Sequence, residues 1–221
     1  MAKLKGMGTS IKYAPAYDSD NNLVKTIGSL TSIGEIAPTS DEVDTTTLDS
    51  DGGYREFLQG LKDSGELPLT GYHDAANTGQ STMRTLYASG ASGYFWVTFP
   101  DQTTVAFNAY VKGYSDGSAD VDGIVGYGCT LRISGLVQVI TTNFDIDGDE
   151  LDATATATVL TGTPTYQWYE CNDAAYTNPS EITGETNATY NTTGAEGFYF
   201  CAVTVPNYRT VNSQVFEIIA A

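Results

Sequence analysis

Alternation of apolar and polar side chains with a period of two constrains the fold of this chain more than any other feature of its sequence. Residues 104–112 show it most clearly, with apolar side chains at Val105, Phe107, Ala109 and Val111. This pattern is typical of a half-buried β-strand. An aromatic strand is predicted over residues 93–99, and Pro100-Asp101-Gln102 predicts the hairpin turn between the two strands. Further strands are predicted over residues 124–139 and around Leu67 and Leu69.

Helical periodicity is confined to two stretches. In residues 78–90, apolar or small residues recur at i, i+3, i+4 and i+7, with Thr78 or Ser81 as the cap and Gly90 as the left-handed end. Residues 54–62 predict one or two turns of a second, shorter helix. Together with the strands, these elements predict a mainly β fold, an antiparallel sandwich or barrel with one helix on its flank.

The composition changes near residue 140. Before it lie 9 of the 10 basic residues and 16 of the 27 acidic ones, and after it the only basic residue is Arg209. The acidic stretch 141–150 therefore predicts a linker between a first domain of residues 1–140 and a smaller β domain of residues 151–221.

The second domain resembles an immunoglobulin-type sandwich. Trp168 lies in one predicted strand, and Tyr199 lies two residues before Cys201 in another, so these three residues are predicted to form its core. The strand that would carry the partner cysteine has alanines instead. A disulfide between Cys171 and Cys201 would need a bulge, because Cys171 has the opposite parity to Trp168, and we expect two reduced thiols.

The charge balance excludes one class of function. With 10 basic and 27 acidic residues the chain carries a net charge of −17, which repels phosphate backbones. A conventional nucleic-acid-binding protein is therefore excluded, although a surface past which nucleic acid slides is not. The N-terminus has no apolar signal segment and no run is long enough to cross a bilayer, so we expect a soluble chain made in a cytoplasm.

Residues suited to catalysis or metal binding are few. His73 is the only histidine, no nucleophile motif accompanies it, and Cys129 is predicted to be a small core residue. The acidic stretches 116–123 and 145–152 do not have EF-hand spacing. We therefore predict no catalytic residue, no cofactor and no metal site. A hydrolase using paired carboxylates is the weakest hypothesis that the sequence leaves open.

The acidic segment of residues 41–71 is long and contains aromatic residues, but it has no pattern of a catalytic or metal site. Residues 42–48 alternate like an edge strand, and an Asp/Gly turn and an apolar stretch follow. A long loop of this kind usually binds something. With no catalytic constellation in the sequence, the expected partner is another protein surface.

The first 140 residues resemble the major tail tube protein of long-tailed bacteriophages. The matching stretches are IGSLTSIGEI (27–36), DEVDTTTLDS (41–50), FLQGLKDSGELPLTG (57–71), GQSTMRTLYASG (79–90), VTFPDQTTVAFNAYVKGY (97–114) and CTLRISGLV (129–137). The resemblance implies a β-sandwich flanked by one helix, whose copies form hexameric rings that stack into a tube. It also implies that DNA passes through the bore without specific binding, and that the immunoglobulin-like domain projects outward.

The resemblance assigns contacts as well. Residues 41–63 resemble the loop that reaches a neighbouring subunit, and an N-terminal arm of residues 1–12 would also contact neighbours. The predicted ring or stacking interface comprises Asp41, Glu42, Asp44, Thr46, Leu48, Asp49, Asp51, Tyr54 and Phe57. The implied partners are the chain itself and the tape measure, chaperone and tail terminator proteins, in a virion tail assembled in the host cytoplasm and not in a membrane. A two-domain β adhesin that binds cell-surface carbohydrate is the alternative.

Overall fold

Strands dominate the described part of the chain, as the alternating pattern predicts. The computed structural model describes the backbone of residues 6–117, 123–147, 152–159, 162–191 and 196–218, and the side chains of all of these except 142–147 and 152–159. The strands, numbered in chain order, are β1 (Ser10–Ala14), β2 (Lys25–Ile27), β3 (Leu30–Ile33), β4 (Thr39–Asp44), β5 (Phe57–Asp63), β6 (Glu66–Tyr72), β7 (Ser92–Thr98), β8 (Thr104–Ser115), β9 (Gly126–Asp147), β10 (Asp152–Val159), β11 (Thr165–Cys171), β12 (Ser180–Glu181), β13 (Thr189–Asn191), β14 (Gly197–Thr204), β15 (Val211–Asn212) and β16 (Phe216–Ile218). One α-helix, α1 (Thr78–Ser89), and two short 3-10 helices, Asn21–Leu23 and Asp51–Gly53, complete the described elements.

The described residues fall into two compact units. The first comprises those within Met1–Thr26, Tyr94–Ala106 and Gln138–Ala221, and the second those within Ile27–Gly93 and Phe107–Val137. Strands β8 and β9 contribute residues to both units. The predicted boundaries of residues 1–140 and 151–221 therefore stay a prediction.

The second unit is built on antiparallel pairs of β6 with β3 and β9. Leu67 and Leu69 of β6 lie opposite Leu131 and Cys129 of β9, and all four side chains are buried. This confirms the predicted strand around the two leucines and the predicted core position of Cys129. Burial also raises the pKa of the Cys129 thiol to about 11, so it is an inert core thiol.

Helix α1 forms where the helical periodicity predicts it. Its cap is Asn77, one residue before the predicted Thr78: the Asn77 side chain accepts a hydrogen bond of 3.0 Å from the Gln80 N–H. Gly90 ends the helix with a φ of 67°, as predicted. The helix is held down by buried Gln80, whose side-chain amide donates to the carbonyls of Gly28 (3.1 Å) and Tyr72 (2.9 Å).

In the first unit, β1 pairs antiparallel with β7, with Lys12 opposite Trp96. Ile11 is fully buried, so the end of the predicted N-terminal arm, Ser10–Lys12, belongs to a sheet instead. Residues 1–5 of that arm lie outside the described residues. The predicted hairpin turn at residues 100–102 is present, because Phe99 N–H donates to the Thr103 carbonyl at 2.9 Å.

Residues 141–147 of the predicted acidic linker belong to a strand. Strand β9 continues to Asp147, and its residues Ile140–Asp147 pair antiparallel with Val159–Asp152 of β10. The threonine–alanine alternation of β10 thus forms the strand it predicts. Residues 148–151 lie outside the described residues.

The C-terminal strands place the predicted core residues together. β11 and β14 pair antiparallel in a regular register, with Trp168 opposite Cys201. Trp168, Tyr199 and Cys201 are buried in one cluster with Val203, Phe216 and Ile218. Cys171 lies opposite Phe198 and all three cysteines are free thiols. The register contains no bulge between these positions, although a Cys171–Cys201 disulfide would need one, and the expectation of two reduced thiols stays a prediction.

Candidate assembly surface

The segment that the sequence assigns to intersubunit contact forms a β-hairpin. Strands β4 and β5 pair antiparallel, with Asp44 opposite Phe57 and Thr39 opposite Asp63. We call residues 39–63 the assembly hairpin. The helix predicted over residues 54–62 is wrong, because residues from Phe57 onward are strand β5. Among the described strands, β4 and β5 pair only with each other, so both outer edges of this two-stranded ribbon are open.

Apolar side chains lie on both faces of the assembly hairpin. Val43 and Leu58 are directly opposite each other and therefore share one face. Phe57, adjacent to Leu58 in β5 and opposite Asp44, lies on the other face, and Leu61 lies at the register shift of the strand pair. All four are exposed, Leu61 to 82%. A two-stranded ribbon is at best marginally stable alone, and clustered exposed apolar side chains are typical of contact surfaces, so both faces are candidate contact surfaces.

The tip of the hairpin, residues 45–56, is shaped by local hydrogen bonds. Asp44 accepts from the Thr46 N–H at 2.9 Å, and Asp49 accepts from the Thr47 hydroxyl at 2.6 Å. These hydrogen bonds from the threonines lower the pKa of both carboxyl groups, which therefore stay ionised at neutral pH. Two apolar side chains project from this ordered, acidic loop: Leu48, which is fully exposed, and Tyr54, exposed to 78%.

The base of the hairpin is fixed to β9. Asp63 accepts from the Gly65 N–H at 2.9 Å and from Arg132 at 2.6 Å. The Ser64 hydroxyl donates to the Gly135 carbonyl at 2.5 Å. Gly65 has a φ of +78°, a left-handed turn in which an added Cβ would lie 3.0 Å from the Ala37 carbonyl oxygen. An open ribbon on an anchored base is preorganised to meet a partner.

The titration of Asp63 tests whether its hydrogen bonds anchor the lower end of the assembly hairpin. The Gly65 N–H and then Arg132 hold the pKa of Asp63 below its ordinary value. Because the pKa of Asp63 is lower in the folded than in the unfolded state, the ionised carboxylate stabilises the folded state. This stabilisation is fully present above the unfolded-state pKa near about 3.9 and is lost as the pH falls through the folded-state pKa. We expect the Gly65 amide NMR resonance to titrate with a midpoint below that ordinary value. Asp63→Asn should abolish the transition, and an unchanged titration in that variant would contradict the assignment.

The nine predicted interface residues all lie on the assembly hairpin and are exposed. Three are in β4 (Asp41, Glu42 and Asp44), five are in the tip (Thr46, Leu48, Asp49, Asp51 and Tyr54) and Phe57 begins β5. The predicted interface did not include Val43, Leu58 and Leu61, which are also exposed on the ribbon. The alternation of Val43 with Glu42 and Asp44 was the signal in the sequence that could have added Val43.

The other candidate chemistry forms no site. His73 Nδ1 lies 3.9 Å from Asp116 Oδ1, but that carboxylate already pairs with Arg84 and with the Tyr114 hydroxyl. Among the side chains that the structure describes, no group of three or more His, Cys, Asp or Glu residues could hold a metal ion. The acidic stretches 116–123 and 145–152 fall partly outside the described residues. No helix in the described part of the chain is long and apolar enough to cross a membrane.

Comparison with known proteins decides what this fold is. A family model described as lambda phage tail tube protein matches residues 6–134, more than half of the 221 residues. The chain belongs to the lambda phage tail tube protein family. This tail tube protein is thus a structural protein of the viral tail, and its family is not an enzyme family. The result favours the tube subunit over the adhesin.

Solved structures of tails are similar to this tail tube protein. The tail of an empty gene transfer agent particle, refined with C6 symmetry, and the native gene transfer agent virion each match with a TM-score of 0.50 and 23% identity over 61% of this chain and 97% of theirs. The tail tube of SPP1 matches with a TM-score of 0.47 and 18% identity over 61% of this chain and 78% of its own. A comparison with curated proteins finds no significant match.

Proposed function

We propose that six copies of this tail tube protein close into a ring, and that rings stack into a hollow tube through which DNA leaves the virion. The observation that carries this proposal is the assembly hairpin, an anchored ribbon with apolar side chains on both exposed faces. A second copy of the chain is the partner, because members of this family build tubes from repeated subunits and the gene transfer agent tail has C6 symmetry.

The proposed contact uses both edges and both faces of the hairpin. Open edges with a defined partner do not aggregate at random, and ring closure provides one repeated partner. Leu48 and Tyr54 at the tip would contact a subunit beyond the one that covers Leu61, since Leu61 lies near the base of the ribbon. The nine predicted interface residues are retained in this proposal.

The proposed role of the charge is to keep DNA moving. A net charge of −17 opposes ion pairing with phosphates, so a bore lined by this protein would not retain the nucleic acid. The proposed tube is assembled in the host cytoplasm with tape measure, chaperone and terminator proteins. Its outer part is the immunoglobulin-like domain of residues 151–221, for which the Trp168 cluster is the support.

Electron microscopy tests the proposal. Purified protein at increasing concentration should form hexameric rings or tubes in negative stain, and sedimentation velocity should show large species that dissociate on dilution. A protein that stays monomeric at high concentration, with the near-ultraviolet circular dichroism of a packed fold, would contradict the proposal.

A further inference from the structure

A tight turn presents the only basic residue found after position 140. Val205-Pro206-Asn207-Tyr208 closes with a hydrogen bond of 3.0 Å from the Tyr208 N–H to the Val205 carbonyl, and Asn207 has a φ of 66°. Proline followed by an asparagine at positive φ is the pattern of a type II turn. The turn follows β14 and places Tyr208 and Arg209 side by side.

Arg209 reaches a segment that is almost two hundred residues earlier in the chain. Its guanidinium donates to the carbonyls of Tyr17 (3.3 Å) and Ser19 (2.8 Å) and to Asn21 Oδ1 (2.6 Å). Its Cζ atom lies 5.1 Å from the centroid of the Trp96 ring. The acceptors are neutral and divergent, so they need the planar fork of an arginine, which a lysine ammonium does not reproduce.

Aromatic and aliphatic side chains surround this contact. The Arg209 backbone N–H donates to the Tyr94 hydroxyl at 3.3 Å, and the Tyr208 ring lies 6.4 Å from that of Tyr94. Tyr94 is buried, and this burial raises the pKa of its hydroxyl to about 12. Val205 and Val211 on either side of Arg209 are buried in one cluster with Ile140 of β9. The backbone that carries Arg209 is therefore held on both sides by packed apolar residues.

We propose that Arg209 is a docking residue that fixes the C-terminal strands β11–β16 to residues 17–21 and to β7 of the same chain. The C-terminal strands are then carried in one orientation and do not swing on a flexible connection. The contact lies within one chain, so it holds whether or not the subunit assembles.

Hydrogen–deuterium exchange of the full chain tests the proposal under conditions where it is unassembled. We expect Arg209→Ala to speed exchange on the order of tenfold or more, both in residues 17–23 and in residues 206–212, because it removes several hydrogen bonds from a charged group. Arg209→Lys should retain little of the protection. Strands β11 and β14, whose residues Trp168 and Cys201 are buried, should exchange as in the wild type, which shows that the C-terminal strands of the variant are folded.

Two further variants separate docking from a general loss of stability. Lys12→Ala removes a cation directly opposite Trp96 that makes none of the Arg209 contacts, and we expect it to leave exchange unchanged. Asn21→Ala removes one acceptor, and its effect should appear across the contact, in residues 206–212. The Arg209→Ala/Asn21→Ala double variant should be clearly non-additive. Additive effects, or the same acceleration from Lys12→Ala, would overturn the proposal.

Discussion

A subunit whose hairpin tip is replaced should fold normally and form no tubes. The change replaces residues 45–56 by Asn-Gly, which joins Asp44 to Phe57, two residues that already lie directly opposite each other in the hairpin. Asn-Gly is the preferred loop for a two-residue hairpin turn, so β4 and β5 keep their register. The tip contributes no buried side chain to the subunit, so the midpoint of thermal unfolding should change by only a few degrees.

Tube length in negative stain, with the melting curve measured on the same sample, is the readout for this variant. Gln59→Ser is the matched control within the hairpin, because it changes an exposed polar side chain of β5, and it should leave tubes of wild-type length. Leu58→Ser and Leu61→Ser should each shorten the tubes, since each removes an apolar side chain from one face. Tubes of normal length from the tip replacement would mean that the hairpin is not a stacking contact.

Trp168→Ala should unfold the C-terminal strands at much lower denaturant concentration but leave tube assembly intact. Trp168 is fully buried, and its indole N–H donates to the Asn187 carbonyl at 2.9 Å. Truncating a buried tryptophan costs about 3–5 kcal/mol through lost burial and an unfilled cavity. The free energy of unfolding is measured by urea titration followed by near-ultraviolet circular dichroism, and assembly by electron microscopy of the same preparation.

Trp168→Phe is the graded comparison for this prediction. It keeps an aromatic ring in the cluster but leaves the Asn187 carbonyl without its donor, which costs about 1–3 kcal/mol. Trp168→Ala should therefore lower the free energy of unfolding more than Trp168→Phe does, because it removes more buried surface. Both variants should still form tubes. Loss of tubes in Trp168→Ala would show that the C-terminal strands take part in assembly and are more than an outer addition.

Local periodicity predicts the fold well where one face is buried. Helix α1 follows from the spacing of Met83 and Leu86, both buried, and from Gly90 at its end. The same spacing at Tyr54, Phe57, Leu58 and Leu61 predicts a helix wrongly. Neither face of that segment is buried in the subunit, so burial does not decide between a helix and a strand. Pairing with β4, which begins at Thr39, selects the strand instead.

The candidate site also has a part that the sequence predicts and a part that it does not. The exposed ends of the hairpin could be predicted, because charges and aromatics in a long excursion indicate a binding segment. Its anchoring could not, since Asp63 and Arg132 are 69 residues apart and only the pairing of β6 with β9 brings them together. Arg209 was noted as the only cation after residue 140, but two of its three acceptors are backbone carbonyls, which a side-chain pattern does not reveal.

Apolar side chains on two open faces also affect the newly made molecule before any tube exists. A ribbon that stays uncovered is a place where unfinished chains adhere in the wrong order, and charged neighbours are the usual protection. Asp41, Glu42 and Asp44 line β4, and Lys62 lies on β5. Similar strands meeting edge to edge in the wrong register would bring like charges together, whereas a correctly matched surface would not. We therefore expect the carboxylates beside these apolar side chains to slow wrong pairings of this kind by like-charge repulsion.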